Sequence, residues 1–167
     1  MDFGFPAMLA LLLLSGERDF LLQTLLVCVV HECGHGIAMC LTGAGLREVR
    51  FCGAGVQMRT GTAVLSRGRL LCIYLSGPAV NLLCAALFRT LSPETAALHL
   101  CMGVCNLLPF RVLDGGAALR VFTDGRWLCI GCTALAILLT AGLALAKITN
   151  PFLYLLAVYL AAAEWLT

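Results

Sequence analysis

Apolar residues in this chain come in long runs, and what separates them is short, polar or rich in glycine. Residues 20–41, 70–88, 94–108, 127–146 and 151–166 read as apolar helices. A further run at 1–14 rises too little, at about 1.5 Å per residue, to cross roughly 30 Å of hydrocarbon, and stands as a marginal first span. It makes a poor signal peptide, because Asp2 occupies the basic region and no small-residue cleavage site follows. Residues 42–69 change character, with six glycines (Gly43, Gly45, Gly53, Gly55, Gly61, Gly68) and five arginines. Leu46-Arg47-Glu48-Val49-Arg50-Phe51 and Val56-Gln57-Met58-Arg59-Thr60 alternate around Gly53-Ala54-Gly55, which predicts a β-hairpin at the membrane surface. The third run should be interrupted at Ser76-Gly77-Pro78-Ala79-Val80-Asn81, where a proline frees backbone groups and Asn81 adds a polar side chain at the same depth.

Composition turns these runs into membrane spans. Of 167 residues, 61% are hydrophobic and 12% charged, whereas a soluble domain is about half apolar and a quarter charged. The expected architecture is an all-α polytopic membrane protein of about six transmembrane helices with a small β-hairpin, built as one membrane-embedded domain over 1–167. Net charge is +2 with scattered basic residues, which argues against a nucleic-acid partner. Most of the ten cysteines lie in or against apolar runs and act as small hydrophobes; Cys129-x-x-Cys132 has no second pair to complete a metal site. With six spans, Arg47, Arg50, Arg59, Arg67, Arg69, Arg111, Arg120 and Arg126 share one side, against Arg18, Arg89 and Lys147 on the other. The positive-inside rule makes the first side cytoplasmic, together with both termini.

Against this background His31-Glu32-Cys33-Gly34-His35 stands out. Residues four apart share a helix face, so His31 and His35 can aim two imidazoles at one ion, with Glu32 beside it as general base. Ionisable groups in so apolar a span are costly and mark function. Two imidazoles leave a tetrahedral zinc one protein ligand short. Among the acids, Asp114 alone follows a broken helix and adjoins paired glycines, Gly115 and Gly116, which would let the backbone approach the His31 helix. His99 competes but lies early in its helix, toward the far face. One Zn2+ per chain on His31, His35 and Asp114 is the expected site, on the cytoplasmic half of the bilayer.

His31-Glu32-x-x-His35, Ser76-Gly77-Pro78-x-x-Asn81 and Asn106-x-x-Pro109-x-x-x-Leu113-Asp114-Gly115, in that order and on alternate helices, resemble the site-2 protease (M50) family of intramembrane metalloproteases, above all its compact branch related to stage IV sporulation protein FB. The resemblance covers about 20–116 and implies a three-helix catalytic core there, with helices 127–146 and 151–166 as scaffold. It implies zinc on the three residues named, Glu32 as the base, and Asn81 holding substrate near the metal. It further implies a single-span or membrane-associated protein substrate such as a pro-sigma factor, and an inhibitory or regulatory membrane partner. Val112 replaces a proline common in the family before Leu-Asp-Gly. Two other classes compete: a proteolytically inactive client-binding protein of the same fold, and a metal transporter. The intact acid and histidines speak against the first, and the absence of polar groups along 127–146 and 151–163 against the second.

Overall fold

The computed structural model describes residues 18–52, 55–60, 65–123 and 125–166; the expected span at 1–14 lies outside them. The elements run α1 (Arg18–Thr42), β1 (Leu46–Cys52), β2 (Gly55–Thr60), α2 (Arg67–Phe88), α3 (Pro93–Asn106), α4 (Asp114–Arg120), α5 (Arg126–Leu145) and α6 (Pro151–Leu166). They fall into two compact units that divide after Cys105.

In the first unit α1 packs on α2. Their buried positions follow the helical period: Val27, His31, Gly34, His35 and Ala38 on α1, and Ile73, Gly77, Asn81 and Ala85 on α2. His35 meets Ile73, Gly34 meets Ser76 and Gly77, and His31 meets Asn81, so numbers fall along one helix as they rise along the other. The pair is therefore antiparallel. α3 adds Ala96, His99 and Gly103 as its buried stripe, and Gly103 lets it close on Pro78 and Leu82 of α2. β1 and β2 pair antiparallel, from Cys52 opposite Gly55 to Leu46 opposite Thr60, with an irregularity between Leu46 and Glu48.

The surface inverts the usual arrangement. Leu22, Leu26, Val29, Ile37 and Leu41 of α1 are exposed, as are Leu83 and Leu87 of α2, while His31, His35, Asn81 and His99 are buried. A soluble protein rarely leaves so much contiguous apolar surface in water. Three helices are long and apolar enough to cross a membrane: Asp19–Thr42, Arg67–Phe88 and Arg126–Leu145. The expected six full spans are not reproduced among the described residues. α3 has 14 residues and α6 has 16, rises of only about 21 and 24 Å. Nor is α2 interrupted: it runs unbroken through Pro78. The missing N–H and the ring crowding act on the turn before the proline, and neighbours absorb that cost without ending the helix.

The second unit holds a short helix that the apolar pattern does not predict, α4, whose seven residues are too few and too rich in glycine to register as a run. Its core joins Phe110, Cys132, Ala136 and Leu160. Gly115 and Gly116 allow a close approach of their own loop. A Cβ at Gly115 would lie 2.8 Å from Leu107 Cα, and one at Gly116 2.9 Å from Arg111 N. Glu164, 2% exposed on α6, ties this loop down. Its carboxylate pairs with Arg120 and accepts the Arg111 backbone N–H. Arg120 in turn donates to the carbonyls of Gly116 (3.1 Å) and Pro109 (3.3 Å).

Glu164→Gln removes the counter-ion of a buried arginine and should lower stability by about 3–5 kcal/mol. Chaotrope unfolding of the purified protein in detergent measures this, and a loss below about 1 kcal/mol would show that the pair does not hold the loop.

Candidate metal centre

The centre begins with a helical repeat. His31 and His35 lie one turn apart on α1, and both are buried, at 5% and 8% exposure. Their Nε2 atoms stand 3.1 Å from one another, with the rings nearly perpendicular at 79°. Two nitrogens each about 2.05 Å from a tetrahedral ion lie about 3.3 Å apart, so the pair is already spaced as two ligands of one zinc. Glu32 is half-buried on the turn between them and is engaged in interactions of its own.

What sets this spacing lies on α2. Gly77 faces the histidines edge-on: a Cβ there would sit 2.7 Å from His35 Cε1 and 2.8 Å from His31 Nε2, closer than side-chain atoms pack. One turn away on α1, a Cβ at Gly34 would lie 2.9 Å from the Ser76 carbonyl oxygen. Two glycines on facing helices thus bring the backbones together where the imidazoles converge. Each ring is then fixed from behind. His35 Nδ1 lies 2.7 Å from the Ile73 carbonyl oxygen, which leaves that nitrogen the donor and Nε2 bare. Ser76 Oγ also donates to Ile73 O, at 2.7 Å, and stands 3.4 Å from His35 Nδ1. His31 Nδ1 lies 3.1 Å from Asn81 Nδ2, and Asn81 Oδ1 lies 3.2 Å from His99 Nδ1.

Asn81, expected beside the substrate, is therefore fully buried behind His31, with both ends of its amide bonded. His99, weighed at first only as a competing ligand, is 3% exposed, reaches Asn81, and stacks on Phe88 with the rings 7° from parallel. Its part was not readable from spacing, because 18 residues and a helix connection separate it from Asn81. Asp114 is the first residue of α4 in the second unit, half-buried and engaged, preceded by Leu113 in extended conformation. Two converging imidazole nitrogens are donors that suit zinc.

Gly77→Ala tests the spacing. Overpacking of about 1–3 kcal/mol should fall on the imidazoles and reduce zinc retention by about tenfold or more, while helicity measured by circular dichroism stays unchanged. Full zinc retention would mean that Gly77 does not govern the pair.

No protein-family model matches the sequence, and no curated protein matches it. Among solved structures the chain is similar to one described as "Site-2 Protease from Methanocaldococcus jannaschii", with 17% sequence identity, a TM-score of 0.71, and coverage of 97% of this chain and 86% of that one. Identity this low leaves the likeness to the path of the backbone. By that path, the chain has the fold of a site-2 protease.

Proposed function

We propose that this chain is an intramembrane zinc metalloprotease that hydrolyses a peptide bond in or near a transmembrane segment of another membrane protein. The observation that carries the reading is the convergence of two buried imidazole Nε2 atoms, 3.1 Å apart, on a helix that is apolar on its outside and carries Glu32 between them. Such a cluster is costly in hydrocarbon unless it is used. The fold of a site-2 protease supports the same reading.

On this reading His31, His35 and Asp114 hold one zinc ion. Asp114 suits the third place because its loop is locked by Glu164, Arg120 and the two glycines, so that its carboxylate is presented from a fixed backbone. The ion supplies Lewis acidity toward a carbonyl oxygen and lowers the pKa of a water. Glu32 accepts the proton of the attacking water and returns it to the departing amine nitrogen. The substrate is a single-span or membrane-associated protein whose helix must first unwind, since its carbonyls are otherwise occupied. The β1–β2 sheet offers an edge to which such an unwound strand can add. α1, α2 and α5 cross the bilayer, and the arginine-rich side faces the cytoplasm.

The test is cleavage of a single-span substrate with helix-breaking residues in its span, by purified protein in detergent, with zinc measured on every sample. Glu32→Gln should keep its zinc and lose about 10²–10⁴-fold in rate. A variant that cuts as fast as the wild type would remove Glu32 from the reaction, and a wild type that holds no zinc would remove the site.

A further inference from the structure

The polar groups behind His31 form a line that the proposed reaction does not use: His31 Nδ1, the Asn81 amide and His99 Nδ1, at 3.1 and 3.2 Å, all buried and drawn from three helices. Resting on the reading of His31 as a zinc ligand, hydrogen-bond logic constrains this line. A neutral imidazole that ligates through Nε2 carries its proton on Nδ1, so Nδ1 must donate. His35 meets that requirement with the Ile73 carbonyl, which can only accept. The group that faces His31 Nδ1 is the Asn81 amide, of whose two ends the oxygen alone can accept, and that end currently faces His99. If the oxygen serves His31, the NH2 must turn to His99, whose Nδ1 then has to be the bare, accepting nitrogen. The two ends of an amide differ little in shape, so the turn needs no repacking.

We propose that His99 is a positioning residue for the metal ligand His31, acting through Asn81: the metal-competent arrangement has Asn81 Oδ1 accepting from His31 Nδ1 and Asn81 Nδ2 donating to His99 Nδ1. Asn81 thereby has a function in addition to the substrate contact that the family resemblance implies. His99 is suited to the task because it accepts and donates by exchanging tautomers without changing charge, and a neutral group belongs at 3% exposure inside apolar helices. The parallel stack on Phe88 holds its ring in the plane that reaches Asn81.

The line makes a prediction opposite to that of plain packing. His99→Asn places Oδ1 close to where Nδ1 was and keeps an acceptor for the Asn81 NH2, but it loses the ring. His99→Phe keeps a ring against Phe88 and loses the acceptor. Zinc affinity, measured on the full-length protein in detergent by competition with a chromogenic chelator, should be near wild type in His99→Asn and weaker by about 10–100-fold in His99→Phe. In the background of Asn81→Asp, whose carboxylate accepts from His31 unaided, His99→Phe should cost less than about threefold; circular dichroism on each sample reports folding. The reverse order at position 99, with Phe binding zinc better than Asn, overturns the proposal, as does an equal loss from His99→Phe in both backgrounds. A wild-type protein without zinc affinity would instead remove the metal site itself and the positioning role with it.

Discussion

Everything at the candidate centre depends on how closely α1 and α2 approach. Without a hydrophobic force between helices in lipid, association rests on contact, and contact is closest where side chains are smallest. Gly34 and Gly77 provide that place within one turn of His31 and His35. The backbone of α2 is thereby used as a wall: its Cα at 77 sets how far the imidazoles can swing, and its carbonyl at 73 sets which way one of them faces. Pro78 belongs to the same device. A proline costs a helix a hydrogen bond and loosens the turn before it, and it is in that region that one helix carbonyl, that of Ile73, is shared by the side chains of Ser76 and His35.

A second constraint is the cost of polarity in an apolar surround. The most deeply buried polar side chains are paired: His35 with Ile73, Asn81 with His31 and His99, Glu164 with Arg120 and the Arg111 N–H. Burial of such groups costs several kcal/mol each unless they are paired. The pairs are consequently specific, and each of them fixes a backbone segment that also carries a candidate site residue.

Much of this was readable from residue order, for identifiable reasons. The His31–His35 pair was legible because a helix puts positions four apart on one face whatever surrounds them. The helices at 20–41, 70–88, 127–146 and 151–166 were legible because long apolar runs have few other uses, and α1, α2, α5 and α6 fall within three residues of those limits. What spacing could not convey is contact between helices. Gly77 looked like part of a helix break, and its task became visible only once His31 and His35 stood against it. Gly115 and Gly116 announced close packing, but spacing could not convey their contacts with Leu107, Phe110 and Arg111 a few residues earlier. The number of spans is not legible from composition alone: an apolar run reports composition, whereas crossing depends on helical length, and α3 stops at Asn106.

The two units reach the same end by different physics. Around the histidines, helix packing does the positioning and the partners are neutral: a carbonyl, a hydroxyl, an amide and an imidazole. Around Asp114, a loop of poor regularity has to be held, and there the chain uses a buried ion pair whose arginine also clasps two loop carbonyls. Neutral partners fix the direction of each imidazole without adding a charge to an apolar surround. A charged clamp suits a loop, because it fixes backbone. Helices α5 and α6, apolar almost throughout, are thus more than lipid-facing filler: the single buried acid near the end of α6 is what the loop before Asp114 is fastened to.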